Sequence, residues 1–167
     1  MGTTTYLVAL GANRRSRHGS PAQAVAAAIA RLDGVVATSP IVASAPLGPS
    51  TRRFANAAVL VESDLAPPAM LVRLKGIERD FGRRRGRRWG ARAIDLDLIL
   101  WSVGVWRSPG LTVPHPAYRE RRFVLDPLLA IAPGWRDPAD GLTVRHLQHR
   151  LTASRPVNRR EDPLMGP

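Results

Sequence analysis

Residues 93–101 read Ala-Ile-Asp-Leu-Asp-Leu-Ile-Leu-Trp. Their number and their aliphatic character predict a β-strand. Because side chains alternate between the two faces of a strand, Asp95 and Asp97 leave the same face. The opposite face is aliphatic and comprises Ile94, Leu96, Leu98 and Leu100. Two neighbouring carboxylates are costly to bury without a counter-charge, so we expect a cation to meet them.

The segment just before this strand supplies positive charge. Between Arg79 and Arg92 there are seven arginines in fourteen residues, interrupted by glycines. Guanidinium groups bind phosphate oxygens through paired hydrogen bonds and stay charged at any working pH. Carboxylates that hold Mg²⁺ beside arginines that hold phosphate are what nucleotide chemistry requires. The alternatives are a solvated basic hairpin or an RNA-contacting loop, with the aspartates paired to surface arginines on a wet strand face.

Composition narrows the class of protein. The chain has 167 residues, 44% hydrophobic and 23% charged, which suits one globular domain. It contains no apolar run of the roughly 18–20 residues that a membrane span needs, and we expect no secretory signal. The absence of cysteine fits a cytoplasmic protein. Only Lys75 of the 25 basic residues is Lys, and this bias suggests a GC-rich coding sequence. Some arginines are then expected to be solvated surface residues without a partner, so the net charge of +12 is weak evidence for nucleic-acid binding.

Periodicity and turn residues predict the order β-α-β-β-α-β. The predicted elements are strands over 4–10, 35–43, 56–61 and 93–101, with helices that begin after Ser20 and at Pro67. Pro40 indicates an edge or a bulge in the second strand. A short helix over 143–151 follows, with Val144, Leu147 and Leu151 inward. This order predicts an α+β protein, an antiparallel sheet backed by two helices on one face. We expect one domain over residues 1–153 and a loose tail over 154–167.

Several motifs that bind phosphate or carry a catalytic nucleophile are missing from the sequence. There is no P-loop, no kinase-type Gly-rich loop with a His-Arg-Asp segment, and no Gly-x-Ser-x-Gly elbow. Phosphate binding must then depend on metal and arginine. His115 lies between two prolines on a rigid loop and could donate to a phosphate, although a lone histidine is more often structural. His146 and His149 have no third ligand, so we interpret them as surface residues.

The motifs together resemble a known family. Arg88-Trp89-Gly90-Ala91-Arg92 followed by residues 94–100 resembles the signature of the 6-hydroxymethyl-7,8-dihydropterin pyrophosphokinases of folate biosynthesis. Further blocks occur in the family's order: Leu10-Gly11-Ala12-Asn13, Pro46-Leu47-Gly48-Pro49, Phe54-Ala55-Asn56-Ala57, Ile77-Glu78 before Gly82-Arg83, residues 111–116 and residues 122–128. Six ordered blocks over about 120 residues are a specific match.

The resemblance implies a fold and a reaction. The fold would be a single-domain, ferredoxin-like antiparallel sheet. The enzyme would transfer pyrophosphate from its co-substrate ATP to the hydroxymethyl oxygen of the pterin, which attacks the β-phosphorus and releases AMP. Two Mg²⁺ ions would be held by Asp95 and Asp97. We expect small-molecule substrates only, no nucleic acid, no membrane, and a monomer.

The resemblance also assigns site residues, position by position. Arg83 and Arg92, with Asp95 and Asp97, would be catalytic. The ATP-binding residues would be Lys75, Glu78, Arg85, Trp89, Arg92, Leu98, Thr112, His115 and Arg121. The pterin-binding residues would be Ser44, Pro46, Leu47, Phe54, Asn56, Trp89, Asp95 and Phe123. A flat heterocycle needs stacking faces and a donor–acceptor edge, and an Asn amide reads such an edge.

Some positions depart from the family pattern. Ala91, Phe54, Pro116 and Gly110 replace residues usual in the family, and we expect these changes to alter affinities rather than abolish activity. Two other functions stay open. An RNA-binding module would use the basic loop, but outward-facing aspartates would repel its ligand. A Mg²⁺-dependent nucleotidyltransferase would also use an Asp-x-Asp pair and would release pyrophosphate instead of AMP.

Overall fold

The computed structural model describes residues 2–44, 54–82 and 93–153. In chain order the elements are β1 (Thr4–Ala12), α1 (Pro21–Ile29), β2 (Val35–Thr38), β3 (Val42–Ser44), β4 (Phe54–Ser63), α2 (Pro67–Asp80), β5 (Asp95–Trp101), β6 (Trp106–Ser108), β7 (Leu111–Val113), a 3-10 turn (Tyr118–Glu120), α3 (Arg122–Ile131) and α4 (Val144–Thr152). The strand predicted over 35–43 is split around Pro40 into β2 and β3. The predicted tail and the arginine loop lie outside the described residues.

The central sheet has the predicted antiparallel topology. Its strand order is β2-β4-β1-β5, and β3 also pairs with β4. The connection from β1 through α1 to β2 therefore leaves room for β4 between the two strands, the split arrangement of a ferredoxin-like fold. β1 pairs along its whole length with β4 and along most of it with β5. The α+β, ferredoxin-like prediction is confirmed.

The two predicted helices pack on one face of the sheet. That face takes the even-numbered residues of β1 and the odd-numbered residues of β4, and it forms the larger core with α1 and α2. Ser20 begins α1 with the predicted capping box, in which its hydroxyl accepts the Gln23 N–H and the Gln23 side chain accepts the Ser20 N–H. Met70, Leu74 and Ile77 bury the inner face of α2.

The opposite face of the sheet also carries helices, which the sequence analysis did not place there. A second core forms on the opposite face, where Leu7, Ala58 and Leu100 meet Leu125 of α3 and Leu147 of α4. Residues 123–131 are apolar enough to be a helix, which α3 is despite Pro127 in its interior. Leu151, predicted to point inward from α4, is 39% exposed. A sheet with apolar residues on both faces must be covered twice.

A β-bulge in β5 changes which residues share a face. Leu7 pairs with Leu100 but the next residue, Val8, pairs with Leu98, so Ile99 is the extra residue. The parity of the strand is reversed beyond this point. Leu100 therefore belongs to the second core and not to the face of Leu96, which corrects the alternation predicted from the sequence.

A buried carboxylate links α2 to the middle of β5. The side chain of Glu78 is 4% exposed, and its Oε1 accepts hydrogen bonds from the Leu96 N–H at 2.9 Å and from Lys75 Nζ at 2.8 Å. β5 ends the strand order, so this N–H points away from β1 and needs another acceptor. Glu78 thus fixes the strand between Asp95 and Asp97.

Glu78→Ala is expected to destabilise the fold by about 1–3 kcal/mol, because it leaves a buried N–H without an acceptor and Lys75 without its partner. Urea denaturation followed by circular dichroism measures this. Glu78→Gln is the control, since its amide oxygen still accepts the Leu96 N–H, and it should lose less than half as much. Equal losses in the two variants would contradict the role of the hydrogen bond.

Candidate active site

Two rows of paired residues form a floor on the second face of the sheet. In the upper row Gly11 of β1 pairs with Asn56 of β4 and with Asp95 of β5. In the next row Ala9 pairs with a second alanine of β4 and with Asp97 of β5. Directly paired residues present their side chains on the same face. The amide and both carboxylates therefore project together, with only small residues between them.

This floor opens into a cavity of about 580 Å³. α3 begins at Arg122, and its first residues line the cavity together with residues of both rows. Phe54, on β4, and Phe123, at the start of α3, line the cavity, and Phe123 is 48% exposed. The cavity is also lined by Gly11, Asn13, Asn56, Asp95, Asp97 and Arg121.

Asp95 and Asp97 suit a Mg²⁺ site. Both are half-buried and both line the cavity, as predicted from their spacing. Among the described ranges no group of three or more His, Asp or Glu side chains is arranged to hold a metal. A pair of carboxylates is enough, because Mg²⁺ takes one or two protein carboxylates and completes its shell with water and substrate phosphate. The donors present therefore fit this ion.

Asn13 is a cavity residue to which the sequence analysis gave no role. Its Oδ1 is buried and accepts no hydrogen bond from the part of the chain that the structure describes. A buried acceptor of this kind calls for a donor from a ligand or from water. The only signal in the sequence was its place at the end of the Leu10-Gly11-Ala12-Asn13 block. Asn56, predicted to bind the pterin, lines the same cavity.

Arg121 brings a cation to the cavity wall. Its guanidinium lies 5.8 Å from the centre of the Phe123 ring, within range of a cation–π interaction. The turn before it is held by Asp137, whose carboxylate accepts Tyr118 Oη and Arg119 Nε, both at 2.5 Å. Burial raises the pKa of Asp137, but these hydrogen bonds outweigh burial and the pKa falls below its usual value. The turn is thereby fixed by a buried charge.

His115 lies within electrostatic range of Asp97 and Arg121. Burial lowers its pKa; Asp97 opposes this shift, whereas Arg121 and, more weakly, Lys75 add to it. The net pKa is below the usual value of about 6.5, so the imidazole is neutral at pH 7. Its Nδ1 accepts the Ala117 N–H at 3.2 Å. The proton is therefore on Nε2, which can act as a donor.

Other predicted nucleotide residues are placed differently. The side chain of Leu98 is 3% exposed and packs in the first core, on the face opposite the cavity, so only its backbone could contact a ligand. Thr112 is exposed on β7, paired with Arg107. Glu78 is occupied with Lys75 and the Leu96 N–H, as described above. None of these residues lines the cavity.

Part of the predicted site belongs to two other segments of the chain. Arg83, Arg85, Trp89 and Arg92, together with the pterin residues Pro46 and Leu47, lie outside the described residues. For Ser44 the structure gives the backbone, which pairs with Phe54, a residue that lines the cavity. The ends of the described segments still bear on this part of the chain. Gly82 follows α2, and Ala93 precedes β5, so the arginine segment connects these two elements.

Comparison with known proteins identifies the family and supports the fold. The family model of 7,8-dihydro-6-hydroxymethylpterin-pyrophosphokinase matches residues 7–133. A crystal structure of Plasmodium falciparum HPPK-DHPS with pteroate superposes with a TM-score of 0.68 at 14% identity. It covers 89% of this chain and 42% of that chain, and at this identity it bears on the fold alone.

Three bacterial relatives carry the name 2-amino-4-hydroxy-6-hydroxymethyldihydropteridine pyrophosphokinase. The Pseudomonas aeruginosa protein is 43% identical over 71% of this chain and 72% of its own length. The Haemophilus influenzae protein is 36% identical over 77% of this chain and 81% of its own. The Synechocystis protein is 41% identical over 68% of this chain, and the match spans 60% of its length. The chain therefore belongs to the 6-hydroxymethyl-7,8-dihydropterin pyrophosphokinase family.

Proposed function

We propose that the protein transfers pyrophosphate from ATP to the hydroxymethyl oxygen of 6-hydroxymethyl-7,8-dihydropterin, giving the pterin diphosphate and AMP. The observation that carries this proposal is the upper floor row, where an amide and a carboxylate flank a glycine inside one cavity. Asn56 suits the ring of a heterocycle, whereas Asp95 and Asp97 suit a metal–phosphate complex. The pterin ring and the metal–phosphate complex thus have separate, adjacent binding groups.

The pterin would lie between the aromatic walls. Phe54 and Phe123 line the cavity and offer stacking faces, and Asn56 offers both a donor and an acceptor to the ring edge. Asn56 is 9% exposed, so its amide meets little bulk water and can select one edge pattern. Ser44, Pro46, Leu47 and Trp89 would complete this subsite.

ATP would lie with its phosphates above Asp95 and Asp97. We propose that these carboxylates hold two Mg²⁺ ions, which when bound neutralise the phosphate charge and orient the β-phosphorus for in-line attack. His115 would donate a hydrogen bond from its Nε2–H to a phosphate oxygen, and Arg121 would add positive charge at the cavity wall. Arg83 and Arg92, with Arg85, would neutralise the transferring group from the segment between α2 and β5.

The remaining assignments follow from the same proposal. Lys75, Glu78, Leu98 and Thr112 would border the nucleotide beyond the cavity. We propose that residues 1–153 form the catalytic domain, followed by a tail, and that the protein acts as a cytoplasmic monomer on these small molecules. Within the described ranges, no helix has the length and apolar character that a membrane crossing requires.

Product analysis tests the reaction. The protein is incubated with Mg²⁺, ATP and 6-hydroxymethyl-7,8-dihydropterin, and the nucleotides are separated by chromatography. We expect AMP and pterin diphosphate in equal amounts, with none formed when the pterin is omitted. Release of pyrophosphate would instead indicate a nucleotidyltransferase, and no turnover combined with RNA binding would indicate an RNA-binding module.

Asp97→Ala is expected to lower kcat by at least about 10³-fold, because a metal ligand supplies several kcal/mol of charge stabilisation in the transition state. The fold should be unaffected or slightly more stable, since one of two like charges is removed. Calorimetry should find that Mg²⁺ no longer enhances binding of an ATP analogue. Asp64→Ala, which removes an exposed carboxylate on another part of the surface, is the control. Wild-type activity in Asp97→Ala would contradict the metal role.

Two substitutions at His115 separate its ring nitrogens. Asn keeps an acceptor near the Nδ1 position and lacks the Nε2 donor, whereas Gln places an N–H near the Nε2 position. If Nε2 donates to a phosphate, His115→Asn should weaken binding of Mg–ATP analogue by roughly 10- to 100-fold, the value of a hydrogen bond to a charged group. His115→Gln should stay within about threefold of wild type. Calorimetric titration measures both, and the reverse order of affinities would assign the role to Nδ1.

A further inference from the structure

Gly11 is the residue that any ligand spanning the upper floor row must cross. It pairs with Asn56 on one side and with Asp95 on the other. Strands lie about 4.8 Å apart, so the two functional side chains begin about 10 Å from one another with Gly11 midway. A molecule that contacts the amide at one end and the metal carboxylate at the other therefore passes directly over this position.

The backbone does not require glycine here. The positive-φ glycines of the described segments are Gly19, Gly34, Gly82, Gly104, Gly110 and Gly141, and Gly11 is not among them. It lies within β1, in a regular antiparallel pairing where glycine is less favourable than alanine. Local conformation thus gives no reason for glycine at this position.

The space above Gly11 does give a reason. A Cβ built on Gly11 would lie 3.1 Å from Asn56 Oδ1, closer than ordinary van der Waals contact, and 4.0 Å from the Ala55 carbonyl oxygen. The side chain of Asn56 would have to move to accept it. The neighbouring position on the same face of β1 is Ala9, which is also small and pairs with an alanine of β4, so the crowding at Gly11 comes from Asn56 alone.

We propose that Gly11 is a specificity-determining residue for the pterin substrate. Its lack of a side chain leaves the Asn56 amide in the position that reads the ring edge, because an added Cβ would meet Asn56 Oδ1. The nucleotide phosphates, which would be held from the Asp95–Asp97 side, do not depend on this amide. This inference rests on the proposed function, because it takes the pterin as the molecule that spans the row.

The test is Gly11→Ala, compared with Gly76→Ala. Gly76 is a helical glycine in α2 whose added Cβ would meet only Arg79 Nη2, at an ordinary 3.8 Å. Calorimetry measures binding of 6-hydroxymethyl-7,8-dihydropterin in the presence of a non-hydrolysable Mg–ATP analogue, and separately binding of the analogue itself. We expect the Kd for the pterin to rise at least tenfold in Gly11→Ala, with analogue affinity within threefold of wild type. Gly76→Ala should change neither affinity.

The proposed contact with Asn56 has its own test. In an Asn56→Ser background the atom that meets the added Cβ is gone, so Gly11→Ala should weaken pterin binding further by less than threefold and should fold with an unchanged Tm. A full tenfold loss in that background, or failure to fold there, would overturn the assignment of the contact.

Three further results would have distinct meanings. Pterin affinity within twofold of wild type in Gly11→Ala would overturn this inference while leaving the proposed function standing. Equal losses for the pterin and the ATP analogue would also overturn it, because the damage would then be general. If the wild-type protein itself failed to bind the pterin, the proposed function would fall, and this inference with it.

Discussion

The pairing of β1 with β4 on one side and β5 on the other is the constraint on which the site depends. These pairings put Asn56, Gly11 and Asp95 in one row although they are distant in the sequence. The spacing along the row is a property of the sheet. It comes from the backbone hydrogen bonds of three adjacent strands, which hold the chains about 4.8 Å apart. Binding groups mounted on such a sheet keep their separation when ligands come and go.

Burial on both faces of the sheet then determines where the cavity opens. α1 and α2 cover the first face along the length of the strands, whereas α3 and α4 cover only part of the second. The part that lines the cavity carries small or polar residues, Ala9, Gly11, Asn56, Asp95 and Asp97, which gain little from being packed under a helix. The cavity is therefore the region of the second face where covering the sheet would bury charge instead of apolar surface.

Local sequence patterns predicted the carboxylate pair better than they predicted the packing on the second face of the sheet. The spacing of Asp95 and Asp97 correctly predicted that both carboxylates share a face, because the period of a strand is local. The face of Leu100 was predicted wrongly, because the extra residue Ile99 changes the parity and a bulge has no clear local signal. The partial exposure of α4 at Leu151 was missed for a similar reason, since its packing depends on α3 and not on its own periodicity.

The β-α-β-β-α-β order of the central elements, the carboxylate pair, the arginine-rich segment and the membership of the family could all be inferred from the chain alone, because each depends on short-range patterns or on motifs in a particular order. Only the three-dimensional arrangement revealed the cavity, the row through Gly11, the buried Asn13 acceptor, the hydrogen bond from the Leu96 N–H to Glu78 and the Nε2 tautomer of His115. Each of these joins residues on separate elements or hydrogen-bond partners that local sequence patterns do not identify. The register and packing that bring them together minimise the free energy of the whole chain.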